Sequence, residues 1–267
     1  MRLTILGTGR MGEALLSGLL RVGWTTPDQI RCTVRRADRA QALADAYGVH
    51  ATTDSAAAVA DADVVILAVK PQNMHDLLDA VGPKLRTGQT VISVAAGVRT
   101  KTIQDWTPDG VPVVRVMSNT PVQVDEAMSV IAPGTHARSA DVEVAREILG
   151  AVGRVISLPE EQLDAVTALS GSGPAYFFLL AEAMIDAGIL LGISRDTATE
   201  LIVQTMIGAA HMLRDTGQHP VELRENVTSP GGTTISAIRV LEEERVRAAF
   251  LNAIEAARDR SIELASD

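Results

Sequence analysis

As far as Pro159, short runs of β-branched residues alternate with stretches of helical periodicity; beyond it no strand pattern occurs. That switch constrains the fold more than any other feature. Residues 3–6, 29–34, 64–69, 90–93 and 113–117 read as strands, with helical patterns over 11–22, 37–47 and 72–81 between them. Such a βαβα order predicts a parallel, doubly wound sheet with helices on both faces. Further strands are expected at 128–132 and 154–157, around a helix over 140–149. The remainder predicts helices alone, over 161–169, 174–191, 196–215, 221–226, 234–244 and 246–264. The expected division is therefore an α/β domain over 1–158 and an all-α domain over 159–267.

The helix predicted at 174–191 is apolar nearly all round: Ala175-Tyr176-Phe177-Phe178-Leu179-Leu180-Ala181, then Met184, Ile185, Ile189, Leu190 and Leu191. A helix of that kind has to be buried on every side. A helical domain of roughly 110 residues has too little interior to do so alone. A homodimer with intertwined helical domains is expected, alone or within a higher homo-oligomer.

Composition narrows the function classes. A net charge of −9 argues against nucleic acid as a partner. The single cysteine, Cys32, excludes an intramolecular disulfide and a cysteine-based zinc cluster. His50, His75, His136, His211 and His219 lack metal-ligand spacing, so no metal is expected. The strand pattern starts at Arg2, which argues against a signal peptide. The uncharged stretch 165–181 is interrupted by Ser170-Gly171-Ser172-Gly173-Pro174, so no apolar run is expected to span a membrane. A soluble, cytoplasmic protein without a membrane partner is the expectation.

Two motifs carry chemistry. Leu6 ends the first strand, and Gly7-Thr8-Gly9-Arg10-Met11-Gly12 follows as G-x-G-x-x-G opening a helix. The first glycine permits the turn, the second lets a pyrophosphate approach the backbone, and the third lets helix and strand pack closely. This predicts a Rossmann-type dinucleotide site; the plainer alternative is a glycine-rich turn without a ligand. The second strand ends in Arg35 and Arg36, where NAD-specific sites usually carry an acid. Arginines pair with a 2′-phosphate through charge-assisted bonds, so NADPH is favoured, with NADH as the alternative. A solvated basic turn would look the same, and Asp38 reads as a helix cap or surface charge. Ala68-Val69-Lys70-Pro71, Ala95-Ala96 and Asn119 stand at further strand ends, where ligands of open α/β sheets lie.

The second motif is Ser229-Pro230-Gly231-Gly232-Thr233-Thr234, a turn followed by an amphipathic helix. Unbonded amides at a helix start attract anions, and the hydroxyls lie beside them. Ser229, Gly232, Thr233 and Thr234 are candidate substrate contacts; simple N-capping by the threonines is the alternative. Ser170–Pro174 reads as a second anion nest or as close packing at a dimer interface.

Taken together, these stretches resemble the pyrroline-5-carboxylate reductase family over essentially the whole chain. The resemblance rests on Ser229–Thr234 with Val240-Leu241-Glu242, on Gly7–Gly12, on Ala68–Pro71, on Asn119-Thr120-Pro121, and on Asp164–Tyr176. Ser118 departs from the proline most bacterial members carry there, which puts the local loop geometry in question. The resemblance implies a helical dimerisation domain and NAD(P)H-dependent reduction of 1-pyrroline-5-carboxylate to L-proline by direct hydride transfer. By similarity, Thr234 would hydrogen-bond the ring nitrogen as the catalytic residue, and Thr233 would hold the carboxylate. Glu160 would contact substrate from the helical side. Ser55, Val69, Lys70, Ala96 and Asn226 would line the cofactor. A related imine reductase, a β-hydroxyacid dehydrogenase and a non-catalytic NADPH-binding regulator are the competing readings.

Overall fold

The computed structural model describes residues 1–265. Eight strands form one sheet: β1 Leu3–Leu6, β2 Ile30–Thr33, β3 His50–Thr52, β4 Val64–Leu67, β5 Thr90–Ser93, β6 Val113–Met117, β7 Ala127–Pro133 and β8 Gly153–Ser157. Interleaved with them are α1 Arg10–Arg21, α2 Ala37–Tyr47, α3 Ser55–Ala58, α4 Met74–Val81, α5 Thr100–Gln104 and α6 Ser139–Gly150. The strand order is β3-β2-β1-β4-β5-β6-β7-β8. The chain thus winds outward one way from β1 and the other way from β4, and the reversal lies between those neighbours. All pairings are parallel except β6 with β7, which run antiparallel with Val116 opposite Ile131. The all-parallel expectation is corrected there: the short 3₁₀ connection Thr120–Val124 turns the chain straight back, whereas a parallel return needs a longer crossover.

Both faces of the sheet are packed. β1 and β4 are buried along their whole length, as four-residue apolar runs with helices on either side require. Leu15, Leu16 and Leu19 of α1 join Leu3, Ile5, Ile66 and Ile148 in one core layer. Leu6, Val65, Leu67, Leu78 and Ile103 form the other. β3 was not legible in advance, because its three residues carry a histidine and no aliphatic alternation.

Beyond β8 come α7 Leu163–Val166, α8 Gly173–Leu190, α9 Arg195–Thr216, α10 Pro220–Asn226, α11 Thr233–Glu243 and α12 Val246–Leu264. The chain forms two compact units that divide after Ser172. Residues 160–171 stay with the sheet because Leu163 packs on Val130 and Ala132. The C-terminal part of α12, from Ala257, belongs to the same unit. There Ser261 Oγ donates to the buried Asp164 carboxylate at 2.8 Å. Ser170–Pro174 does not interrupt the chain's helicity as the sequence leads one to expect. A wide π turn over Thr167–Gly171 carries it, and the helical run Glu160–Leu190 is long and apolar enough, by length and composition, to cross a membrane. Asn119 Nδ2 donates to Ser170 O at 3.1 Å and Gly171 packs on Met117, so this segment is a packed turn and no anion nest. Ser118 accepts a buried hydrogen bond from Ser129 Oγ at 2.9 Å.

The helical unit buries little of its apolar side-chain surface. Gly173 is the one buried residue of α8, while Phe177, Phe178 and Leu179 are each more than 60 % exposed. Gly188 lets α8 approach Ala198 of α9 closely, and this contact leaves most of the apolar surface of α8 uncovered. Burial on every side is therefore not achieved within one chain.

Candidate active site

The glycine turn lies at the reversal point of the sheet, beyond the carboxyl ends of β1 and β4. Thr33 O, at the end of β2, receives the amides of Gly7 (3.1 Å) and Thr8 (2.8 Å) and pins the turn. Gly7 has φ +82°, and a Cβ there would collide with Val69. A Cβ on Gly12 would press on Ile5 at 3.1 Å and Gly7 O at 3.3 Å, so α1 packs closely on the strand. At Gly9 the nearest atom to such a Cβ is 3.9 Å away. Gly9 is thus not required by contacts within the chain, whereas a group docking against the backbone would require it. Gly9 caps α1 without any side-chain bond, so the first-turn amides at Arg10, Met11 and Gly12 are presented to a ligand.

A cleft of about 880 Å³ opens from this turn. Of the candidate cofactor residues, Gly7, Thr8, Gly9, Arg35, Arg36, Ser55, Ala68, Val69 and Lys70 line it. So do Thr33, Val34, Arg39, Thr53, Asp54, Asn73, Asp76 and Leu77, which were not singled out. Arg39 was legible only as a third arginine in the same loop-to-helix segment; the others carry no motif. Of the remaining candidates, Leu6 is core, Ala95 is buried, and Arg10, Met11, Gly12, Pro71 and Ala96 lie outside the cleft lining. Asn119 is committed to structure: its Oδ1 accepts from Met128 N at 3.0 Å while its amide holds Ser170. Asn226 ends α10 in the helical unit.

Arg36 is the N-cap residue of α2, and its Nε donates to Asp38 Oδ1 at 2.9 Å. Hydrogen bonding from Arg36 holds the Asp38 carboxyl down at about 2. Asp38 therefore partners an arginine and does not cap the helix. Arg35 is exposed at the cleft rim.

Glu160 has both carboxylate oxygens engaged. Oε1 accepts from Thr100 N at 2.8 Å and from Arg115 Nη1 at 3.2 Å, and Oε2 from Thr100 Oγ1 at 2.6 Å. Burial pushes its pKa up, but the Thr100 hydroxyl, the Thr100 amide and Arg115 outweigh burial and leave it lowered. These bonds tie the end of the sheet domain to β6 and α5.

In the helical unit, Gly231 turns the chain with φ +68°, and Gly232 N donates to Ser229 O at 3.1 Å. A Cβ on Gly232 would strike Ser229. Gly232 is the N-cap of α11 and no side chain caps the helix. Thr233 and Thr234 stand inside the first turn, so the capping alternative is set aside. The turn leaves helix-start amides beside two hydroxyls, Thr233 exposed and Thr234 half-buried. That arrangement suits a carboxylate with a neighbouring hydrogen-bonding atom. Among the described residues no group of histidine, cysteine and carboxylate side chains could hold a metal ion.

A glycine turn at the reversal point of a doubly wound sheet, backed by arginines at the end of the second strand, defines a dinucleotide-binding oxidoreductase class. Residues 2–97 match the family described as NADP oxidoreductase, coenzyme F420-dependent, and residues 160–264 match pyrroline-5-carboxylate reductase dimerisation. The pyrroline-5-carboxylate reductase of Methanosarcina acetivorans is 44% identical over 98% of this chain and 97% of its own. The solved pyrroline-5-carboxylate reductase of Coxiella burnetii superimposes with a TM-score of 0.93 at 39% identity, covering 98% of both chains. That of Plasmodium falciparum, solved with NADP bound, gives 0.90 at 27% identity over 99% of this chain and 98% of its own. The chain belongs to the pyrroline-5-carboxylate reductase family.

Proposed function

We propose that this protein reduces the cyclic imine 1-pyrroline-5-carboxylate to L-proline with NAD(P)H, NADPH being favoured. The observation that carries this is the end-to-end similarity to reductases named for that substrate. The cofactor fits the residues present: the open backbone at Gly9 and the amides opening α1 suit a pyrophosphate, and the arginines after β2 suit a 2′-phosphate. Bound there, the cofactor supplies a hydride for the imine carbon. Ser55, Ala68, Val69 and Lys70 complete its cradle.

The chain's own task is binding and orientation. The Gly232 turn, Thr233 and the first amides of α11 hold the carboxylate, with Ser229 fixing the turn. Thr234 orients the ring nitrogen. A hydroxyl of ordinary acidity is a weak acid, so positioning is its main contribution. Glu160, expected to contact substrate by similarity, is held in place by Thr100 and Arg115. The functional unit is a homodimer in which the apolar helices cover one another. The cytoplasm suits the buried Cys32, whose thiol burial pushes up to about 11 and which has no partner to oxidise with.

NADPH oxidation, assayed with pyrroline-5-carboxylate against other imines and 3-hydroxy acids, tests the reaction. Turnover confined to another substrate, or tight NADPH binding with no turnover, would refute it. Thr234→Ala is expected to lower kcat/KM roughly tenfold, about 1.4 kcal/mol of transition-state stabilisation. Unchanged kinetics would remove Thr234 from the mechanism. Replacing Arg35 and Arg36 together by alanine should raise KM for NADPH far more than for NADH. Equal changes for both cofactors would remove these two arginines from 2′-phosphate binding.

A further inference from the structure

We propose that Arg39, on the first turn of α2, is the principal reader of the cofactor's 2′-phosphate, and that Glu13 is the residue that positions it. The proposal rests on the cleft being an NADPH site. Three arginines line that cleft, and the structure treats them differently. Arg36 gives two donors, Nε and Nη2, to Asp38 in its own loop, and that pair is exposed. Arg35 is exposed and would have to be ordered by whatever binds. Arg39 is the least exposed of the three and is already held: its Nη2 donates to Glu13 Oε2. The other oxygen of Glu13 accepts from Tyr47 Oη at 3.3 Å. One carboxylate on α1 thus grips α2 at its first turn and at its last residue.

A guanidinium has five donors in a rigid fork, so a single carboxylate leaves donors to spare for an oxyanion. A side chain fixed before binding loses less entropy when the ligand arrives. Glu13 stands one turn into the helix that follows the glycine turn, with its amide on Gly9 O at 2.8 Å. The same residue therefore links the helix that opens at the glycine turn to an arginine of the cleft lining. The competing role for Arg39 is a purely structural staple between α1 and α2, which would affect all cofactors alike.

The test is calorimetric binding of adenosine 2′,5′-bisphosphate and of adenosine 5′-monophosphate to the full chain. The two ligands differ only in the 2′-phosphate. Arg39→Ala should weaken the bisphosphate about tenfold, about 1.4 kcal/mol, and leave the monophosphate unchanged; Arg39→Lys should recover part of the loss. Glu13→Gln should lower the preference about threefold, since Arg39 stays but is no longer pinned by a charge. Equal weakening of both ligands by Arg39→Ala, or no weakening, overturns the role of Arg39. A Glu13→Gln protein with a lower Tm but an unchanged preference overturns the positioning role of Glu13. Wild-type protein that binds both ligands equally would show instead that the cleft does not read a 2′-phosphate at all.

Discussion

Phe178→Glu is expected to leave the protein monomeric and to cut turnover at least tenfold. Phe178 is 68 % exposed in the single chain, on a helix whose one buried residue is Gly173. Phe177, Leu179, Leu190 and Leu191 are comparably bare. Complete burial of one such side chain contributes about 1.5–3 kcal/mol, so a face of this size forms a large driving force for association. In a two-fold dimer each substitution occurs twice, and an unpaired carboxylate buried in an apolar interface costs several kcal/mol. Light scattering and turnover measure the outcome. Because Phe178 packs into no core of its own chain, circular dichroism and cofactor binding should persist, which separates dissociation from misfolding. A dimeric, fully active variant would overturn the role assigned to α8.

Arg115→Met should destabilise the sheet domain by about 3 kcal/mol, more than about a hundredfold in the folding equilibrium. Arg115 is 3 % exposed and faces the Glu160 carboxylate. Removing the cation leaves a largely buried anion with only Thr100 to bond it. The sign of the pH dependence follows from the lowered pKa of Glu160. Its stabilisation is complete above the ordinary glutamate value of about 4.3 and is lost as the pH falls through the lowered folded value. Wild-type protein should therefore lose stability on acidification in that window, and the variant should show a flatter profile there. Urea denaturation across the acid range checks both, and an unchanged midpoint and slope would refute the pair's contribution.

The glycine turn was legible because its requirements are local: Gly7 needs a positive φ, and Gly12 sits one helical step from a strand. The apolar character of residues 174–191 was legible for the same reason, as was the helical run after the sheet. Glu160 was legible only as a carboxylate at the end of the sheet domain, without its partners. Its partners Thr100 and Arg115 lie 60 and 45 residues earlier, and nothing in the neighbouring sequence announces them. The threonines after Gly232 looked like possible caps, and only the backbone showed that the glycine itself holds the N-cap position.

By itself, then, the amino-acid sequence determined the doubly wound sheet, the glycine cradle and the glycine turn that opens α11, since each depends on backbone preferences within a few residues. The tertiary structure decided which charges are spent and which are available. Arg36 is neutralised in its own loop, Arg39 is gripped by a carboxylate 26 residues away, and Glu160 is locked to β6. Ion pairs form wherever folding brings opposite charges together, and a pairing across such a separation depends on the packing of the whole sheet domain.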